Sequence, residues 1–399
     1  MQRTTCRGCE SSKLPQFLDL GMMPLAGGFL PNVEAIKREE RYPLSIYVCE
    51  TCGLVQILEV VDPEILFQDY SFSSSTIGPL VQHFENYAQW LVNKLNPDTV
   101  VEVGCNDGIL LAPLEKLGVK TVGVDVSRNI TEIARRKGLD VITGYFDGRT
   151  AEATRERVGR VDAITGSNVF AHNDQPERIL NAARSLLKPT GYLCLEIMYA
   201  GDLFELLQWD TLYHEHLTFY SLSSLQVLLN RHSFYVVDAE RIAMHGGSLR
   251  VVATPNADAP IQPGVSHVLE YEKAKRLTDP DTWLGFGAQA HRKIQVVAQT
   301  LEHLSHHNRI WGYGAAGKAT MWVNACEMNN LEAVVDASPL RAGKLMPGTH
   351  TPIVSPAELR GHPPDYIFVT AWNYLDLIRS KEDWFGGIWV TPLPELRFF

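Results

Sequence analysis

Between residues 99 and 199 the chain repeats one unit, a short β-branched, apolar run followed by a stretch with helical spacing. The strand-like runs are TVVEVGC, TVGVDVS, DVITGYF, VDAITGSNV and GYLCLEIMY, and helical stretches such as ITEIARRKG and PERILNAARSLLK lie between them. Few architectures tolerate this pattern, because parallel strands need crossover connections and helices supply them. Two further β-rich runs, SFYVVDAERIAM and GSLRVVATP, are separated only by His245-Gly246, which predicts an antiparallel hairpin at the end of the sheet.

A second alternation begins near residue 309, with RIWGYGAAGKATMWVNAC, LEAVVDAS, TPIVSPAEL, PDYIFVTAWNY and IWVTPLP. It predicts a smaller, doubly wound α/β unit. The intervening residues 260–308 show few strand signals and read as long helices, a connector. Ahead of the first alternation, Glu64 to Leu95 reads as a Ser-rich loop running into an amphipathic helix. At about 100–200 residues per domain, 399 residues hold two or three domains. The expected division is 1–65, 66–258 and 259–399.

Cys6, Cys9, Cys49 and Cys52 form two C-x2-C pairs, while Cys105, Cys194 and Cys326 stand alone. No apolar run reaches the ~18 residues of a spanning helix. The N-terminus MQRTTCRGCESSK lacks the apolar core of a signal peptide. A cytoplasmic protein is therefore expected, where thiols stay reduced and paired cysteines serve as metal ligands. Four thiolates in two knuckles suit tetrahedral Zn2+ in a closed, structural site. The segment has the look of a zinc ribbon, with CRGC, the Pro/Gly-rich LGMMPLAGGFLP, then YPLSIYVCETCGLVQ. Zinc ribbons often bind nucleic acid, but this arm lacks clustered Lys/Arg. The whole chain balances 36 Lys+Arg against 46 Asp+Glu, a net charge of −10, which argues against a nucleic-acid partner. A scaffold role follows.

Val100-Val101-Glu102-Val103-Gly104-Cys105-Asn106-Asp107-Gly108 reads as strand, tight turn and helix start. Gly104 and Gly108 let the turn tighten and a ligand approach the backbone. The helix N-terminus suits a carboxylate. Asp125 ends the second strand, 21 residues beyond Gly104, where an acid bonds ribose hydroxyls. The dinucleotide pattern G-x-G-x-x-G is broken by Asn106, and no lysine makes this a Walker A loop. S-adenosylmethionine is the expected cofactor, with NAD(P) or an empty Rossmann-like lobe as alternatives. Phe146 either packs on adenine or belongs to the core. Five parallel strands closing in a hairpin is the order of the class I methyltransferases, which the chain resembles here.

Between the fifth strand and the hairpin lies Asp210-Thr211-Leu212-Tyr213-His214-Glu215-His216-Leu217. Adjacent titratable groups at the carboxyl end of a parallel sheet stand where ligands bind in such folds. In an extended segment Tyr213 and Glu215 would share one side and His214 and His216 the other, while a turn could bring them together. Acid–base work, structural hydrogen bonding and a metal site are all open, though the spacing does not match H-E-x-x-H.

The chain resembles the sugar C-3'-methyltransferases, which act on thymidine-diphosphate-linked 4-keto-deoxysugars in antibiotic pathways. The resemblance runs along nearly all of it, through both C-x2-C pairs, LFQDYSFSSST, EVGCNDG, SNVFAHNDQ, DTLYHEHLTFYS, HGGSLR, GYGAAGKAT, PGTHTPI and TAWNY. It implies an α/β protein with an N-terminal zinc domain, a class I methyltransferase Rossmann-like lobe and a C-terminal Rossmann-like α/β lobe, with the sugar nucleotide between lobes. His216 resembles the base that removes the C-3' proton. Tyr213 and His172 resemble groups near the keto oxygen, and Glu215 and Tyr70 match further active-site positions. The methyl donor falls to Glu102, Gly104, Asn106, Asp107, Gly108, Asp125, Phe146 and Asn168. Inversion at the methylated carbon is implied as well.

Phe72 stands where relatives more often carry a second tyrosine, and Met198 where proline is more usual. Arg250, after His245-Gly246-Gly247, either meets an anion or merely ends a strand. Lys318 and Thr320 follow the glycine turn Gly312–Gly317 and are expected on the substrate side. Trp372-Asn373-Tyr374 either lines the cleft or packs its lobe. The expected partner is a nucleotide-sugar small molecule, with no nucleic acid and no membrane, and the chain is expected to be a monomer. A methyltransferase acting on O, N or a non-sugar carbon acid is the near alternative, and a zinc-ribbon RNA methyltransferase or RNA binder the remote one.

Overall fold

The structure is a computed structural model that describes residues 2–67, 74–76, 78–244 and 246–399. Tyr70, Phe72 and His245 lie outside the described residues. Three strands open the chain, β1 (Gln16–Pro24), β2 (Arg41–Val48) and β3 (Val55–Ile57), paired antiparallel. Alternation along β2 buries Leu44, Ile46 and Val48 on one face. β1 runs through Leu20–Pro24, the first part of the Pro/Gly-rich stretch.

The first alternation folds as expected into β4 (Thr99–Val103), β5 (Lys120–Asp125), β6 (Val141–Thr143), β7 (Val161–Ser167) and β8 (Leu187–Met198). All five are mutually parallel. A two-residue strand, β9 (Thr218–Phe219), precedes the hairpin of β10 (Tyr235–Ile242) and β11 (Ser248–Thr254). In the hairpin Ile242 faces Ser248, and β11 runs antiparallel to β8. The sheet order is β10-β11-β8-β7-β4-β5-β6. Strand order reverses between β4 and β7, which opens a ligand crevice at their carboxyl ends. Val100, Val101 and Val103 are all buried, as a strand covered on both faces requires.

β9 does not join that sheet. Val55 pairs with Phe219 and Gln56 with Thr218, so β9 becomes the fourth strand of the N-terminal sheet. The boundary expected at residue 65 is thus crossed by a strand from far along the chain.

Helices Pro263–Lys275 and Pro280–Ser305 form the connector. Asp279 caps the second, whose first residue is Pro280. Six strands follow, β12 (Ile310–Tyr313), β13 (Val334–Val335), β14 (Ile353–Val354), β15 (Tyr366–Val369), β16 (Ile388–Thr391) and β17 (Arg397–Phe398). They make a sheet in the order β14-β13-β12-β15-β16-β17, parallel except for β17. The connector is a wall of the core. Phe17 of β1 meets Trp283 and Phe286 at 5.5 and 6.1 Å, and such pairs add about 0.5–1.5 kcal/mol each beyond burial. One apolar cluster joins Ile46, Trp283, Trp322 and Phe368, and so fuses the N-terminal sheet, the connector and the C-terminal lobe. No helix among the described residues is long and apolar enough to cross a membrane.

Candidate active site

The two cysteine pairs meet. Cys6 and Cys52 sulfurs stand 3.6 Å apart, Cys9 and Cys49 sulfurs 3.5 Å, and all four lie within 4.8 Å of one another. Tetrahedral zinc with bonds near 2.3 Å spaces its sulfurs by about 3.8 Å, so the donor set and its size both fit. Arg7 and Arg3 lash the first knuckle to Asp174, just beyond His172, and Arg231 donates to the Gly8 carbonyl. The site braces the methyltransferase lobe.

At the end of β4 the chain turns with Gly104 at φ +69° and Asn106 at φ +48°. Asp125, at the tip of β5, accepts from the N–H groups of Asn106 and Ser127, each at 2.9 Å. Asn106 Oδ1 accepts from Ser74 N–H, and Asp107 from Ser75 N–H. Lys137 donates to the Asp107 carbonyl at 2.8 Å, an anchor the sequence did not single out. Asn168, just past β7, is left-handed and keeps its side-chain oxygen buried without a hydrogen-bond partner. Glu102 is likewise buried with Oε2 unpartnered; burial, with Asp125, Asp107 and Glu196 near, pushes its carboxyl well up. These acceptors at the ends of β4, β5 and β7 suit the hydroxyls and amino groups of a nucleoside. A β-carbon at Gly108, at φ +80°, would stand 2.1 Å from Leu139 Cδ1, so packing against Leu139 also calls for glycine there. Phe146 is buried in the central core cluster.

The segment after β8 settles as a 3-10 turn, Trp209–Thr211, followed by a second turn closed by His216 N–H on the Tyr213 carbonyl at 2.8 Å. This turn resolves the alternation problem. Tyr213 and His216 come together with ring centroids 4.1 Å apart, and His172 joins them at 5.0 Å from His216. His214 turns away into the N-terminal lobe, bonded to the Pro43 carbonyl. Glu215 accepts from Gly27 N–H at 2.9 Å, and burial raises its carboxyl to about 7 against that bond. Among the described residues His214, Glu215 and His216 form no metal cluster.

Two carbonyls orient the imidazoles. His216 Nδ1 lies 2.8 Å from the Thr211 oxygen and His172 Nδ1 2.6 Å from the Glu215 oxygen. A carbonyl only accepts, so both Nδ1 atoms carry hydrogen and, in the neutral rings, the lone pairs sit on Nε2. Burial also lowers the His172 pKa, which favours its neutral form.

The C-terminal lobe closes the site through the turn after β12. Lys318, near the start of helix Gly317–Ala325, lies with Nζ 4.5 Å over the Trp372 ring, buried and without a hydrogen-bond partner. Burial lowers its pKa, opposed by Asp210. Thr320 and Arg250 are engaged within the protein. Thr320 donates to the Ala26 carbonyl. Arg250 lies between Tyr87 and Trp90 and pairs with Glu196 and Glu240. Burial would raise Glu196, but His83 and Arg250 hold it below the usual range. Two carboxylates therefore already meet the Arg250 charge. Trp372 faces Lys318 and Asp210, while Tyr374 packs with the lobe's own core.

A class I strand order, a cofactor turn with fitting acceptors and a four-thiolate site define an S-adenosylmethionine-dependent methyltransferase with a zinc-binding N-terminal domain. The chain belongs to the C-methyltransferase family, matching its C-terminal domain over residues 243–394. Residues 81–239 match a methyltransferase domain, and residues 6–67 a domain described as "Putative zinc binding domain". C-methyltransferase NovU of Streptomyces niveus is 32% identical over 402 residues, covering 98% of this chain and 96% of that protein. The ubiquinone biosynthesis O-methyltransferase of Shewanella halifaxensis is 27% identical over 169 residues, 39% of this chain and 70% of that protein. The crystal structure of magnesium protoporphyrin IX methyltransferase from Synechocystis PCC 6803 with bound SAH is 18% identical, covering 44% of this chain and 82% of that one, at TM-score 0.35.

Proposed function

We propose that the protein methylates C-3' of a nucleotide-linked 4-ketodeoxysugar, a dTDP sugar of antibiotic deoxysugar biosynthesis, through an enolate. The orientation of His216 supports this most. Its Nδ1–H bond to Thr211 leaves Nε2 as the basic nitrogen, beside the Tyr213 hydroxyl-bearing ring. Carbon is a poor nucleophile until a neighbouring ketone acidifies its proton. His216 Nε2 takes that proton, and the C–H electron pair moves into the enolate, placing negative charge on the keto oxygen. Tyr213 O–H donates to that oxygen. Neutral His172, whose Nε2 only accepts, orients a substrate hydroxyl instead of serving as the donor. Glu215 fixes the loop against Gly27, and Tyr70 keeps its expected active-site role.

Glu102, Asn106, Asp107, Asp125 and Asn168 hold S-adenosylmethionine, which supplies an electrophilic methyl on a sulfonium. Gly104 keeps the turn open beside them. Lys318 is the cation on the substrate side. The same reading takes the chain as a cytoplasmic monomer acting on a small molecule, with no nucleic-acid or membrane partner.

His216→Ala tests the base. It should abolish turnover while S-adenosylmethionine binding persists. Near-normal turnover would remove His216 from the role.

A further inference from the structure

Asp210 is fully buried one residue before Thr211, whose carbonyl sets the His216 tautomer. Its Oδ2 accepts two hydrogen bonds at 2.9 Å, from the indole N–H of Trp322 and from that of Trp372. Both tryptophans belong to the C-terminal lobe, one on helix Gly317–Ala325 and the other just past β15. Trp209, on the same 3-10 turn, stands edge-on to Trp322 at 4.5 Å. Asp210 Oδ1 and Lys318 Nζ are each buried with no hydrogen-bond partner, and the two groups interact electrostatically. Burying a carboxylate this deep is costly unless it is paired and hydrogen-bonded, and Asp210 has two N–H donors and the Lys318 charge to offset that cost.

We propose that Asp210 is a positioning residue for His216, pinned by Trp322 and Trp372. The single turn Trp209–Thr211 has its middle residue clamped to the C-terminal lobe and its last carbonyl bonded to His216 Nδ1–H. Holding the middle of so short a turn holds its last carbonyl. The C-terminal lobe therefore sets the tautomer and the direction of His216 Nε2 without touching the imidazole. A change at Asp210 acts on the proton-transfer step. This rests on the reading of His216 as the base.

The test follows solvent deuterium entering C-3' of a dTDP-linked 4-keto-6-deoxyhexose by NMR, with no methyl donor present. Asp210→Ala should slow exchange about 10–100-fold, the scale of a misplaced catalytic group, with zinc content unchanged. Trp372→Phe, which removes one of the two N–H donors at a partly exposed ring, should give a smaller loss in the same direction. It carries the test if Asp210→Ala does not fold. Exchange at the wild-type rate in these variants, beside a silent His216→Ala, overturns this inference alone. Wild-type exchange in His216→Ala overturns the base assignment and this inference together.

Discussion

The hydroxyl end of the Tyr213 ring packs against Gly317, so that a β-carbon at 317 would stand 2.9 Å from Tyr213 Cζ and 3.0 Å from its hydroxyl oxygen. The phenol is thus held between His216 on one side and the first turn of helix Gly317–Ala325 on the other. Gly317→Ala should fold, since the conflict is with one side chain. It should lower kcat by about 10–100-fold, as small displacements of catalytic groups do. Steady-state kinetics check this, and unchanged kcat would show that Tyr213 is not held by that wall.

Zinc has a path to the site through β9. The knuckles brace β3, β3 pairs with β9, and β9 directly follows the loop that carries Tyr213 and His216. Metal analysis should find about one zinc per chain, as one four-thiolate site requires. Chelation or Cys49→Ser should melt the N-terminal lobe and abolish activity, since structural zinc supplies folding energy outright. A zinc-free chain with the wild-type melting temperature and full activity would contradict this.

Glu215 gives a pH signature in stability. Its carboxyl is raised from 4.5 to about 7, so its favourable contribution is complete below pH 4.5 and is lost as pH rises through about 7. The loss is on the order of 1–3 kcal/mol, reduced by the group's partial exposure. Glu215→Gln keeps an acceptor for Gly27 N–H and cannot ionise. Its melting temperature should match wild type at pH 4.5 and exceed it at pH 8. An equal difference at both pH values would mean that Glu215 does not titrate in this window.

Much of the fold was legible because its signals are local. Strands buried on both faces read as apolar runs, and Gly104 and Asn106 mark a turn that needs positive φ. Two C-x2-C pairs specify their own chemistry. The Tyr213–His216 loop was legible in content but not in shape. Whether Tyr213 and His216 meet depends on a turn whose residues fit an extended segment equally well. Arg250 left two readings open in the sequence, and its partner Glu196 lies on a strand 54 residues earlier, where no local pattern points to it. Asp210 has no role of its own legible in the sequence, because Trp322 and Trp372 lie over 100 residues further along the chain. Its sign in the sequence was an acid opening a dense polar motif. Partners brought together by tertiary packing leave no periodicity behind.

The central claim is where the methyl goes. The protein should be incubated with S-adenosylmethionine labelled with carbon-13 in the methyl and with a panel of dTDP-linked 4-ketodeoxysugars, and the product read by NMR. The account predicts a carbon-bound methyl on C-3', beside the ketone. A label found on oxygen or nitrogen, or no transfer to any ketosugar while another carbon acid is methylated, would contradict it.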